Sequence, residues 1–326
     1  MQPVGTAEGG CPHVVRGEVE FLAMARVLIS GASGLIGSAL VPALESHEHE
    51  VTRLVRRPTG NGNDLQWEPM REISPSLVSG FDAVIHLSGE NVAGRWTAEK
   101  RRRIRESRVV SAKNLSWALA KAERPPTIFI CASAIGFYGN RGDEVLTEES
   151  PPGAGFLPEV CREWEAATES AAAVGIRTVN LRIGLVLSGN GGALKPMLFP
   201  FRLGVGGRLG SGNQWWSWIH IDDLVSAVEH ILENAAVTGP VNMTSQGPVT
   251  NVEFTNTLAE LLKRPAIVPV PAMAVRLILG GFADECLLAS ENVRPKKLLE
   301  NGLNFQYPDV KSALRDCLDT LNLNPG

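Results

Sequence analysis

Between residue 25 and about residue 185 the apolar positions fall into two alternating rhythms. Short apolar runs begin at Ala25 or Arg26 and recur within 49–58, 81–89, 127–133 and 177–183, with a further short strand around Leu65-Gln-Trp67. Between them, apolar residues return at helical spacing over 35–45, 97–123 and 164–173. Strand and helix in strict alternation predict an α/β fold, a doubly wound parallel sheet whose strands are buried on both faces. After residue 185 the rhythm is lost. Gly-rich loops at 189–192 and 204–212 and a Trp-rich segment at 215–218 precede helical stretches at 223–234 and 251–263. Pro265 to Pro271 then leads into an apolar helix and a basic-amphipathic end. The expected organisation is a sheet domain over 25–185, completed by parts of 213–245. Residues 186–326 mainly form a smaller, partly discontinuous C-terminal lobe over a substrate cleft.

Residues 1–24 stand apart. Pro, Gly and Glu are scattered there without period, and the basic start and apolar core of a secretory signal are missing. The expectation is a disordered leader or upstream-start extension ahead of Met24. A transit peptide is the runner-up, against which Glu8, Glu18 and Glu20 count.

Where the first strand breaks, Gly31, Gly34 and Gly37 are spaced by threes before a helix begins. Gly31 permits a tight turn, Gly34 lets a pyrophosphate approach the backbone, and Gly37 lets helix and strand pack closely. Unpaired amides at the helix start meet the negative charge, so the Rossmann turn points to a dinucleotide held around Gly31, Ser33, Gly34, Leu35, Ile36 and Gly37. A carboxylate for a ribose 2′-hydroxyl is expected at the end of the second strand, and the chain has Arg56-Arg57 instead. Guanidinium forks pair with a 2′-phosphate, which favours NADP(H) over NAD(H).

Composition narrows the classes. The chain has 326 residues, 44% of them hydrophobic and 20% charged, with a formal net charge of −4, which excludes a surface built to neutralise nucleic acid. No apolar stretch approaches the roughly 18 to 20 residues that span a bilayer, and no membrane partner is expected. Five cysteines show no metal-ligand spacing, which fits reduced thiols in the cytoplasm, and no metal is expected.

The GxxGxxG spacing resembles that of the short-chain dehydrogenase/reductase superfamily, in its extended, epimerase-like branch. Longer motifs sharpen the resemblance. They are Gly89-Glu-Asn-Val-Ala-Gly-Arg95-Trp96-Thr, Ser133-Ala-Ile-Gly-Phe-Tyr138-Gly139, Gly155 to Glu165, Ser217-Trp-Ile-His220-Ile-Asp222-Asp223 and Asn292-Val-Arg-Pro-Lys-Lys-Leu. Over residues 25 to about 320 the chain is similar to the atypical members called epimerase-like or cell-division-inhibitor-like proteins. The resemblance implies cofactor contacts from the loop Leu87-Ser88-Gly89-Glu90, from Leu185, and from Arg103 and Arg108 on the following helix. The rest of the basic run 100–105 reads as a solvated helix face.

The resemblance also exposes a loss. The superfamily's Tyr and Lys pair would fall at Leu157 and Cys161, and neither side chain can do that work. Ser133 matches the catalytic Ser/Thr region. For the proton donor, Tyr138, Glu90, Glu148 and Glu165 lie near the expected cleft, and Tyr138 is the choice. Trp216 stands where nucleotide-sugar epimerases carry an Arg that clamps the diphosphate. A rim of Asn91, Trp96, Trp215 and Trp216 therefore predicts a small apolar or aromatic substrate. Core packing or a homodimer contact is the other expectation for those tryptophans. His220 and Asp222 are expected to fix the lobe. Two functions follow: an NADP(H)-dependent epimerase-like oxidoreductase with a non-standard proton relay, or a catalytically silent NADP(H)-binding redox sensor or scaffold.

Overall fold

The computed structural model describes residues 24–60 and 62–323, so residues 1–23 of the expected leader lie outside the described residues. Seven strands form the central sheet: β1 (Arg26–Ser30), β2 (Glu50–Val55), β3 (Asp64–Gln66), β4 (Ala83–His86), β5 (Ile128–Ala134), β6 (Arg177–Ile183) and β7 (Gly239–Met243). Their order is β7-β6-β5-β4-β1-β2-β3, and every neighbouring pair is parallel. The order reverses between β1 and β4, so the carboxyl ends of these two strands flank the crevice where a doubly wound sheet binds ligands.

Alternation within each strand splits the core into two layers. Val27 and Ile29 of β1, with Ile128 and Ile130 of β5, pack with Leu40 and Leu44 of helix α1 (Leu35–Ser46) and with Leu224 and Ile231 of the helix Ile221–Glu233. Leu28 and Phe129 point the other way, onto Leu115 and Leu119 of α2 (Ala98–Ala120) and Trp164 of α3 (Phe156–Ala166). Each fully buried Leu, Ile or Phe contributes about 1.5–3 kcal/mol. Between the layers, His86 sits with Nδ1 2.6 Å from Ser30 Oγ and Nε2 2.9 Å from Ser111 Oγ, and burial lowers its pKa to about 4.

Two sequence expectations are corrected. The helix expected over 164–173 starts earlier, at Phe156, ends at Ala166, and is followed by the separate turn Glu169–Ala172. Between the two Gly-rich loops lies an unforeseen helix, Leu194–Arg202.

The C-terminal lobe is laced into the sheet domain by three short pairings. Leu185–Leu187 pairs with Trp218–His220, Trp215–Trp216 with Val249–Thr250, and Val145–Leu146 with Asn292–Val293. Its own core gathers Leu198, Phe201, Trp218, Phe254, Leu258 and Leu314. His220 stacks on Tyr307 at 3.8 Å between ring centroids, and the buried Asp223 carboxylate accepts the amides of Gln306 (2.7 Å) and Tyr307 (3.1 Å). The four described cysteines are free thiols.

Candidate functional site

The glycine turn has the geometry that an anion cradle needs. Gly31 adopts φ +78°, and a Cβ there would come within 2.7 Å of the Leu87 carbonyl carbon. At Gly37 a Cβ would run into the Gly31 carbonyl oxygen and lie 2.7 Å from Ala32 Cα. The first helical hydrogen bond runs from Ser38 N–H to Gly34 O at 2.8 Å. The amides of Leu35, Ile36 and Gly37 precede it, at the positive end of the helix dipole. A backbone cradle with no side chain in the way fits a pyrophosphate.

From this turn a cavity of about 430 Å³ runs along the carboxyl edge of the sheet. Gly31, Gly34, Leu35, Ile36, Gly37 and Leu87 form one end, with Arg108 and Leu185 on its sides. Ser133, Gly136, Leu157 and Cys161 form the middle, and Trp215, Trp216 and Ser217 the wall beneath the C-terminal lobe. Leu157 and Cys161 stand one turn apart on α3, so an apolar carbon surface and a thiol occupy the wall where the resemblance places Tyr and Lys. Burial pushes the Cys161 thiol up to about 12, leaving it protonated.

Behind Ser133 lies a satisfied polar network. Arg182 donates from Nε and Nη2 to the two Glu165 carboxylate oxygens, both at 2.8 Å, and from Nη1 to Tyr138 Oη at 2.9 Å. Ser133 Oγ donates to Glu165 Oε1 at 2.8 Å. Tyr138 is fully buried, its hydroxyl 2.7 Å from Asn242 Oδ1 and 2.9 Å from Thr147 O, and it does not line the cavity. Burial, partly offset by Arg182, raises its pKa to about 12. The sequence choice of proton donor is thus corrected: Tyr138 is a packing residue locked behind the wall.

Other candidates divide in the same way. Trp215 and Trp216 line the cavity, their indole N–H groups bonded to Asp143 Oδ1 (3.0 Å) and Leu287 O (3.2 Å). Trp96 does not: it is buried edge-on against Phe156 and Phe282 and donates to Val92 O at 2.7 Å. Asn91 is exposed and accepts from Ala93 N within its own turn. Ser33 is exposed on the turn, and Ser88 and Gly89 lie in the loop just beyond the cavity edge. Glu90 is held by Lys100 at 2.7 Å and faces Arg103 at 3.7 Å, so both Glu90 and Arg103 are spent on each other's surroundings outside the cavity. Arg108 reaches the cavity but is tied by Nη1 to Glu90 O and Ile104 O and stacked over Trp164; burial lowers its pKa. Arg56 and Arg57 are exposed beyond the end of β2, one strand away from the glycine turn.

Two acids that the sequence reading missed line the cavity, both from the C-terminal lobe: Glu285 and Glu291. Glu285 Oε2 accepts the Leu157 amide at 2.6 Å. Glu291 is half-buried, but its Oε1 is shut away from solvent without a hydrogen-bond partner among the described residues, and desolvation alone raises the carboxyl's pKa to about 8. Of Glu148, Glu165 and Glu90, none lines the cavity; Glu148 accepts the amides of Asn242 and Lys297. Glu291 follows Ser290 directly ahead of the Asn292-Val-Arg-Pro motif, a lone acid entering a buried strand pair, and that was the available signal.

Known proteins match this architecture along its length. The model of the NAD dependent epimerase/dehydratase family covers residues 27–243, and that of a domain of unknown function, DUF1731, covers 270–317. An epimerase family protein of Mycobacterium bovis, Mb2239, is 42% identical over 295 residues, spanning 90% of this chain and 97% of the relative. The human epimerase family protein SDR39U1 is 35% identical over 295 residues, spanning 89% and 99%. The crystal structure of its isoform 2 with NADPH superposes at a TM-score of 0.82 with 32% identity, covering 90% of this chain and 99% of the other. With a Rossmann sheet, a glycine cradle and a family match over most of its length, the chain belongs to the NAD dependent epimerase/dehydratase family.

Proposed function

We propose that the chain binds NADP(H) and works as an epimerase-like oxidoreductase on a small apolar or aromatic molecule. The observation that carries the reading is one continuous cavity, from the glycine cradle at α1 to a wall of tryptophans with a single unbonded acid, Glu291. The amides of Leu35 and Ile36 would take the pyrophosphate, and Arg56 and Arg57 the 2′-phosphate; the human relative crystallised with NADPH supports that choice. When bound, the nicotinamide supplies or accepts a hydride. Trp215, Trp216 and Leu157 exclude water and offer flat apolar surface to the substrate, and the one guanidinium among the described lining residues, Arg108, is tied back to Glu90 O and Ile104 O.

Glu291 takes the role that Tyr138 cannot. In reduction of a carbonyl, its protonated carboxyl gives its proton to the substrate oxygen as the carbon gains the hydride. In the reverse direction the carboxylate takes that proton back. Glu285 is occupied with the Leu157 amide, and the Ser133 hydroxyl is committed to Glu165. The unpaired carboxyl favours an enzyme over a silent sensor or scaffold, because an unsatisfied buried acid costs stability that a mere scaffold has no need to spend.

The test is a fluorescence titration of the purified protein with NADPH and, separately, NADH. Binding of NADPH about tenfold or more tighter than NADH, with the difference erased in Arg56→Ala, is expected. Failure of both to bind overturns the enzyme reading. Equal loss for both dinucleotides in Arg56→Ala removes the 2′-phosphate assignment.

A further inference from the structure

Part of the C-terminal lobe presents a surface unlike the rest of the molecule. The helix Leu194–Arg202 with the loop behind it, and the segment from Lys263 through the helix Ala272–Leu279, run side by side. Val270 N donates to Arg208 O and Gly210 N to Val270 O, both at 2.9 Å, and Gly204 packs against Pro265. Six large apolar side chains on them, Phe199, Leu203, Ile267, Met273, Leu277 and Ile278, are each between 61% and 81% exposed. Such side chains scattered singly need no explanation, but these six are gathered on two segments that are held together. The helix Ala272–Leu279 buries only Val275 among its eight residues and carries one polar side chain, Arg276.

The charges carried by these two segments have one sign. Lys195, Arg202, Arg208, Lys263, Arg264 and Arg276 are all exposed, and neither 194–210 nor 263–283 contains an Asp or Glu. The nearest following acid, Asp284, pairs with Arg276 at 2.7 Å, and Glu260 at the end of the preceding helix is taken by Lys311 at 2.7 Å. In a chain of net charge −4, this concentration of cations beside exposed apolar groups is a local feature.

We infer that this face docks on an anionic phospholipid bilayer. Apolar side chains would enter the acyl boundary while the flanking Lys and Arg stems reach back to the phosphates, the pattern of a helix that lies on a membrane and does not cross it. No helix among the described residues is long and apolar enough to cross one. A second copy of the chain fits less well, because a two-fold contact would set these cations against themselves with no acid in either segment to pair them. The inference is independent of the redox reading above.

Co-sedimentation of the full chain with phosphatidylcholine vesicles, with and without phosphatidylserine, tests it. Expected is sedimentation with the phosphatidylserine vesicles that falls with added salt, and a drop of about tenfold or more in Arg202→Gln/Arg264→Gln and in Leu277→Ser/Ile278→Ser. All four positions are exposed, and unchanged melting temperatures of the variants verify that the fold is intact. Protein left in the supernatant with both vesicle types overturns the inference. So does a dimer in sedimentation velocity that Leu277→Ser/Ile278→Ser dissolves, which would assign the face to a second copy.

Discussion

Glu291 shows how a single side chain couples stability to pH. Its carboxyl titrates at about 8 in the folded chain against an ordinary 4.5, because burial disfavours the anion. The folded state therefore binds that proton more tightly than the unfolded one. Its contribution to stability is whole below pH 4.5 and is lost as the pH climbs to about 8. Glu291→Gln, which cannot ionise, should melt progressively above the wild type as the pH is raised through that window. A melting-temperature difference flat with pH would show that the group does not titrate there. If a carbonyl substrate is found, turnover in the reductive direction should fall above pH about 8, where the donor proton is gone, and be lost in Glu291→Gln with NADPH binding retained. The sequence marks the residue only as a lone acid ahead of a buried strand pair, because what distinguishes it is the lack of a partner for Oε1 in three dimensions. The glycines were legible because their demand is local: a positive φ at Gly31 and a missing Cβ at Gly37 are conditions set by the adjacent few residues.

At the level of elements, the strands were readable because each is an apolar run bounded by turn residues, as Phe81-Asp-Ala-Val-Ile-His is for β4. The helices that were misplaced or missed contain proline. Pro158 sits in the first turn of α3, where its missing N–H costs nothing, so that helix starts ahead of it and not after. Pro196 and Pro200 similarly disguised Leu194–Arg202 as loop. Two element contacts invite substitution. Gly37→Ala would push α1 off the β1 turn, lowering the melting temperature and weakening NADPH together; if either is unchanged, the close packing at this point has been misjudged. At the first turn of Ile221–Glu233, Asp223→Ala strands the Gln306 and Tyr307 amides, at about 1–3 kcal/mol for each group left unpaired, readable by urea denaturation. Asp223→Asn, which keeps one acceptor oxygen, should recover part of the loss.

For the whole molecule, the sequence order and the spatial order disagree in one place that matters. The sheet is finished by β7, which pairs residue for residue with β6 from Val179↔Gly239 to Ile183↔Met243 although 55 residues intervene between the two strands. The helix Ile221–Glu233, which packs on α1, also comes from this later stretch. A fragment stopping at residue 185 would leave Leu40, Leu44 and Ile29 without their cover and the β6 edge unpaired, and it should be recovered aggregated, not folded. During synthesis the same geometry sets a schedule. The amino-terminal strands leave the ribosome as an open sheet with a sticky edge, and they must wait until Met243 has emerged before that edge can close. Slowing translation in the stretch between β6 and β7 should therefore lower soluble yield far more than slowing it after residue 243.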